Sequence, residues 1–223
     1  GVHHMEAHVL AHFIEDPKPT FPFLCLLVSG GHTQIVIMHD AFDMEIIGKT
    51  IDDAAGEAFD KTGKILGLEY PAGPIIDQLA KKGQARYKFT IPNAGGLDFS
   101  FSGLKTSILY FLRDQKTQNE NFINENLHDI CASVQKIIVD YLMLQLEKAI
   151  DLTKIKHVAI AGGVSANSEL RKRVKALDNH GLRTYITATQ YCLDNAAMVG
   201  IAGVYKYKKK VYTKLDAPVF TRQ

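Results

Sequence analysis

Two distant stretches of this chain share one pattern. Leu26-Leu27-Val28-Ser29-Gly30-Gly31 and Val158-Ala159-Ile160-Ala161-Gly162-Gly163 are both apolar runs that end on a small residue and a pair of glycines. An apolar run bounded by glycine reads as a buried strand. A strand that ends on paired glycines offers backbone N–H groups that no Cβ shields, so a phosphate or carboxylate can approach closely. The second pair leads straight into a predicted helix, whose free first-turn N–H groups favour an anion, and Ser165 and Asn167 are natural N-cap residues there. A glycine pair also serves as an ordinary sharp turn, so the pattern leaves both uses open. A phosphate loop of the Walker type is excluded, because Gly48-Lys49-Thr50 would need glycine where Asp43 stands.

The remaining patterns place these strands in an α/β fold. Phe21 to Ile37 predicts a hairpin about the Ser29-Gly30-Gly31 turn, and a third strand near Met44 to Ile51 completes a meander. Asp52 and Asp53 are expected to open a helix through Leu66, a short helix to run from Pro74 to Lys82, and Leu97 to Ser102 to form a half-exposed strand. Gly103 to Gln115 reads as helix, Gln115 to Asn126 as a loop or helix start, and Leu127 to Ile150 as one long helix with an apolar face. A β-α-β unit follows, with His157 to Ile160, Ser165 to Leu177 and Leu182 to Ile186, and the last helix runs from Asn195 to Lys208. Such an order indicates α/β layers over a mixed sheet.

Composition narrows the class. The 223 residues carry 26 basic and 24 acidic side chains, so the chain is neither a disordered polyelectrolyte nor a strongly basic nucleic-acid wrapper. No apolar stretch approaches the ~20 residues of a membrane helix. Cys25, Cys131 and Cys192 are odd in number and widely spaced, which suits a reducing, cytoplasmic compartment. The opening Gly1-Val2-His3-His4 has neither an initiator Met nor the profile of a secretory signal, and the expectation is that an N-terminal segment has been removed.

Four of the nine histidines, His3, His4, His8 and His12, fall in the first twelve residues. On a helix His4 and His8 lie one turn apart, a spacing at which two imidazoles can grip one metal. His12 continues the face but sits about 12 Å from His4 at 1.5 Å per residue, too far to share the ion. A solvated polar face gives the same pattern. The zinc-protease signature fails, because it needs glutamate directly after the first histidine and Glu6 stands two residues after His4. Ser102-Gly-Leu-Lys105 has the spacing of serine acylases, but Lys61-Thr62-Gly63 precedes it where their second motif should follow. Arg171, Lys172, Arg173 and Lys175, and Lys206, Lys208, Lys209 and Lys210, form two basic patches that could meet phosphates.

Taken together, the motifs resemble a known family. His4-Met-Glu-Ala-His8, Leu27-Val-Ser-Gly-Gly-His-Thr-Gln34, Ile51-Asp-Asp-Ala-Ala-Gly-Glu-Ala-Phe-Asp-Lys61, Leu97-Asp-Phe-Ser-Phe-Ser-Gly-Leu-Lys-Thr106, Ala161-Gly-Gly-Val-Ser-Ala-Asn167 and Asp194-Asn195-Ala-Ala-Met198 are similar, in order, to the tRNA threonylcarbamoyltransferases (TsaD, formerly O-sialoglycoprotein endopeptidase, Gcp). The resemblance implies an actin-like ATPase (ASKHA, RNase H-like) fold with the C-terminal lobe mostly complete and the N-terminal lobe largely missing. Residues 1–18 would be a remnant helix of the first lobe, 19–190 the second lobe with a helical insertion, and 191–223 a helix returning to the first lobe, with a tail.

The activity implied is transfer of a threonylcarbamoyl group from threonylcarbamoyl-AMP to the N6 amine of the adenosine 3′ of the anticodon, in tRNAs reading ANN codons. The matching metal ligands would be His4, His8 and Asp194, holding one divalent ion, iron or else zinc. Acyl-adenylate contacts would fall on Leu27, Val28, Ser29, Gly30, Gly31, Asp60, Gly73, Asp77 and Asn167. Implied partners are tRNA, an inactive paralogue and a separate ATPase, with no membrane. A truncated first lobe would leave apolar surface exposed, favouring a dimer through that face and an inactive chain. The rival readings are a metal-dependent glycoprotease and a non-catalytic nucleotide-binding scaffold.

Overall fold

The structure is a computed structural model that describes residues 1–90, 94–214 and 216–217. Its centre is β1 (Phe23–Val28), buried at every position. The strand pairs antiparallel with β2 (Thr33–Asp40), from Phe23 opposite Met38 to Val28 opposite Thr33, and β2 pairs antiparallel with β3 (Asp43–Lys49). On its other side β1 runs parallel to β4 (His157–Ala161), which runs parallel to β5 (Arg183–Ile186). The order is β3-β2-β1-β4-β5. The glycine-ended strands β1 and β4 are therefore direct neighbours that finish at the same edge of the sheet, and being covered on both faces they read as unbroken apolar runs.

Alternation along β1 divides the core in two. Leu24, Leu26 and Val28, with Ile35 and Ile37, face α2 (Ala55–Ile65), α3 (Ala72–Ala80), α4 (Ser102–Gln118), α5 (Phe122–Thr153) and α6 (Ser168–Ala176). Phe23, Cys25 and Leu27, with Val36 and Met38, face α1 (His4–Leu10) and α7 (Ala196–Lys208), whose Met5, Val9, Met198 and Ala202 fill the opposite layer. The period of two that sends successive side chains to opposite faces thus gives the first and last helices a shared layer. Among the described residues no helix is long and apolar enough to cross a membrane.

Several expected elements shift. Leu97 to Ser102 is not a strand: only one isolated bridge, Phe99 to Thr50, forms there. Phe99 and Phe101 are both fully buried, stacked 6.2 Å apart and edge-on to Tyr141 of α5, so the apolar-polar alternation marks an anchored loop. The segment from Gln115 to Asn126 is almost wholly helical, with only Asn119 to Asn121 between α4 and α5. Asp52 and Asp53 lie before α2, which is capped at Ala54. The Ser165 helix is split, because a 3-10 turn covers Gly163–Ala166 and α6 starts at Ser168 with Asn167 as its N-cap. Residue 215 and residues 218–223 of the expected C-terminal tail lie outside the described residues.

Candidate metal centre and anion-binding turns

His4 and His8 sit one turn apart on α1, with ring centroids 4.8 Å apart. Asp194 approaches from the far end of the chain: β5 leads into a 3-10 turn at Thr189–Tyr191, then Cys192 is buried, and Asn195 caps α7 by accepting a hydrogen bond from the Met198 N–H at 2.9 Å. Because α7 packs on α1 in one layer, the residue just before that cap is delivered to the histidines. Asp194 Oδ1 lies 3.0 Å from His8 Nε2 and 3.3 Å from His4 Nε2. Tyr191 also ties this segment to the end of the first helix by donating its hydroxyl to Glu15 at 2.9 Å.

The donor set suits a divalent transition metal. One ligand atom from each of the three residues falls within 4.8 Å of the others. Atoms bound at about 2.0–2.2 Å to one ion stand roughly 3–3.6 Å apart, and two imidazoles with one carboxylate leave positions open. His8 is buried, and its other nitrogen, Nδ1, has no hydrogen-bond partner among the described residues. Burial and the neighbouring His4 push His8 below the ordinary histidine value, against the opposing pull of Asp194, so its imidazole is neutral as a ligand must be.

His12 does not continue this face as a helix. α1 ends at Leu10, a 3-10 turn takes over Ala11–Phe13, and His12 is buried with Nε2 3.0 Å from the Ile160 carbonyl. Burial pushes it down to about 4, so it is a neutral core group tying the helix to β4.

The glycine turns lie at the ends of β1 and β4. Leu27 and Val28 are fully buried, so only their backbone is available to a ligand, while Gly30 and Gly31 are exposed with open space where a Cβ would be. Ser29 closes the turn, its N–H donating to the His32 carbonyl at 2.8 Å and its Oγ accepting from the His32 N–H at 3.1 Å. Two other backbones press on this turn. A Cβ at Gly56 would lie 2.5 Å from the Ser29 carbonyl oxygen, and one at Gly162, whose φ is 87°, would collide with the Val28 carbonyl. Only glycine allows the start of α2 and the end of β4 to close on the β1 turn from both sides.

Asp60, Gly73, Asp77 and Asn167 form a second group across the starts of α3 and α6. Asp60 accepts the Ala72 N–H at 2.8 Å, and Asp77 accepts the Ser168 N–H at 3.2 Å and its hydroxyl at 2.6 Å. Asn167 accepts from the N–H groups of Glu169 and Leu170 and donates to Gln135 at 2.8 Å. Gly73 is half-buried, and a Cβ there would sit in ordinary contact with Phe59 at 3.9 Å. Gly56 and Asp60 stand one turn apart on α2, which links this group to the β1 turn.

The roles of two further groups escape sequence reasoning. His32, in the β1–β2 turn, is close enough to His8 to affect its charge. Asp52 accepts the Ser100 hydroxyl at 2.5 Å, the Phe101 N–H at 2.7 Å and the Ser102 hydroxyl at 2.9 Å. Burial would raise Asp52, yet these bonds outweigh it and hold the carboxyl below the usual range. With its hydroxyl donated to Asp52, Ser102 is the start of α4 and not a nucleophile paired with Lys105. A cavity of about 260 Å³ lies beside β5, between Ala11–Pro17 and Thr184–Tyr191, and none of the predicted site residues lines it.

A five-stranded mixed sheet with helices on both faces and glycine turns at the ends of β1 and β4 is the architecture expected of a lobe with the actin-like ATPase fold. Solved structures share this fold. The full-length HypF structure in the phosphate- and nucleotide-bound form matches 92% of this chain and 35% of that one, at a TM-score of 0.65 and 14% identity. HypF of T. kodakarensis matches at 0.60 and 15% identity, covering 92% of this chain and 37% of that one.

The chain belongs to the TsaD family, tRNA N6-adenosine threonylcarbamoyltransferase, whose family model matches residues 1–201. It is 53% identical over 226 residues to the enzyme of that name from Riemerella anatipestifer, and 51% identical to that from Christiangramia forsetii, each alignment covering 99% of this chain. The chain spans 66% of the length of either relative.

Proposed function

We propose that this chain carries the metal and acyl-adenylate sites of a tRNA N6-adenosine threonylcarbamoyltransferase, acting on the adenosine 3′ of the anticodon in tRNAs that read ANN codons. The observation that carries this reading is the meeting of His4, His8 and Asp194 at one point, within electrostatic reach of His32 in the turn after β1. Those three residues would hold one divalent ion, iron in the first instance, which supplies Lewis acidity and a template for substrate oxygens.

The chain's own groups account for the rest. The exposed backbone at Gly30 and Gly31 takes the adenylate phosphate, since nothing there blocks close approach. The half-exposed backbone at Gly73, near the start of α3, takes the nucleoside, with Asp77, one turn further along α3, and Asn167, at the start of α6, beside it. Held so, the acyl carbon faces the incoming adenine amine, and orientation is the main contribution of the protein. The amine forms the new N–C bond as the acyl C–O bond to phosphate breaks; AMP leaves with that electron pair, and the amine proton passes to water. A cytoplasmic setting, an inactive paralogue and a separate ATPase belong to the same reading.

The test couples bound metal to transfer. His4→Ala with His8→Ala should abolish stoichiometric metal and N6-threonylcarbamoyl formation together, measured by elemental analysis and nucleoside mass spectrometry in cells depleted of the native enzyme. Transfer that persists without bound metal refutes the reading. Metal-dependent cleavage of a glycoprotein without tRNA modification would favour the protease alternative.

A further inference from the structure

The chain has two basic clusters, and the structure treats them differently. In α6 every cation is engaged: Arg171 donates to the carbonyls of Ser165 and Thr187, Lys172 pairs with Glu169, Arg173 with Asp140, and Lys175 with Asp178. At the end of α7 the pattern is mixed. Lys206 donates to the Gly1 carbonyl at 2.8 Å, and Lys209 pairs with Asp40. Lys208, Lys210 and Lys214 are exposed; Lys208 lies over the Tyr205 ring at 6.0 Å, and among the described residues no carboxylate lies within ion-pairing distance of any of the three.

The same end carries two large exposed rings. Tyr207 is 71% and Tyr212 69% exposed, and they meet edge-on at 6.4 Å. Exposed aromatic faces among cations without a carboxylate partner match the chemistry of single-stranded or looped nucleic acid, in which phosphates pair with lysines and an unstacked base finds a ring. An anionic membrane would also accept lysine and tyrosine. The position of the patch favours RNA. α7 begins two residues after Asp194, and its 13 residues place Lys208 about 20 Å from the metal ligands. That span corresponds to several nucleotides along an A-form stem.

We infer that the Lys208–Lys214 end of α7, with Tyr207, is a docking surface for the RNA backbone on the stem side of the adenosine that reaches the metal centre. This rests on the tRNA reading proposed above. The exposed lysines steer and hold phosphates several nucleotides from the target, and the ring receives a base or ribose at the edge of the stem. The engaged cations of α6 take no part.

Binding of a fluorescently labelled, unmodified tRNA to the 223-residue chain, measured by anisotropy across a salt series, tests this. Lys208→Ala with Lys210→Ala should weaken binding about tenfold at 0.1 M salt and make the slope of log K against log salt shallower by about 1.5, the loss of two phosphate contacts. Tyr207→Ala should cost several-fold with the slope unchanged. Lys208→Arg with Lys210→Arg should restore affinity, and Lys172→Ala should leave it unchanged. All these positions are exposed, and unaltered thermal melts check that the variants fold.

If the native chain binds tRNA and the double alanine variant matches it within twofold at the same slope, the inference is overturned while the proposed function stands. A native chain that fails to bind tRNA overturns the inference, and the metal and transfer assays then judge the function separately. Tighter binding to phosphatidylserine-rich vesicles than to tRNA, lost with the same lysines, overturns it in favour of a membrane.

Discussion

The convergence of three backbones on the turn after β1 makes Gly162→Ala a sharp test of how the site is built. Gly162 has φ 87° and ψ 167°, a region that only glycine occupies without strain, and holding another residue there costs about 1–3 kcal/mol. The new Cβ would also meet the Val28 carbonyl oxygen, carbonyl carbon and nitrogen, which are all backbone of a fully buried strand. No side chain can rotate away, so the ends of β1 and β4 must part, and overpacking of this kind adds about 1–3 kcal/mol. The sum, about 4 kcal/mol, is a large share of the 5–15 kcal/mol that stabilises a domain.

Urea denaturation followed by circular dichroism reads this directly. With a slope near 2 kcal/mol per molar, the midpoint should fall by about 2 M. Gly30→Ala is the matched control: its Cβ meets nothing within 4 Å, so its stability should stay within about 0.5 kcal/mol of the native chain. If Gly30 is bare because a phosphate approaches it, this stable variant should bind a non-hydrolysable acyl-adenylate analogue at least tenfold more weakly. A Gly162→Ala protein within 1 kcal/mol of native would refute the argument that β1 and β4 are closed on each other through that glycine.

Further outcomes follow from other parts of the site. His12, held neutral down to about 4 by burial, is protonated near 6.5 in the unfolded chain, so between these values the unfolded state binds the extra proton and stability rises with pH. Acidification from pH 6.5 to 4 should therefore cost up to about 3 kcal/mol through this group, and His12→Gln should flatten that part of the pH–stability curve. Asp52→Ala should destabilise by about 2–3 kcal/mol in the same urea assay, because Ser100 and the Phe101 N–H lose their acceptor in a buried setting. Zinc or ferrous ion at 100 times its dissociation constant should stabilise the chain by about 2.7 kcal/mol, and Asp194→Ala should remove the effect.

How much of this was legible in the sequence depends on whether the deciding interaction is local. β1 and β4 announced themselves because burial on both faces demands a continuous apolar run, and their glycines because only that residue permits the approach of Gly162 to Val28 and Gly56 to Ser29. The α1 histidine pair was visible for the same reason, since one helical turn sets its spacing. Asp194 was reachable only by resemblance: nothing between residues 8 and 194 says that α7 will lie against α1, a contact decided by Met5, Val9, Met198 and Ala202 sharing the layer under Leu27. The misread segments share one physical cause. Leu97 to Ser102 alternates like a strand, yet its ring pair docks on Tyr141, and its polar groups go to an aspartate some fifty residues earlier, so tertiary partners replace the ladder that the pattern predicts. Asp52 reads as a helix-starting charge for the complementary reason. An acid before a helix satisfies the local rule, and the hydroxyls of Ser100 and Ser102 that claim it instead are invisible until the chain has folded back.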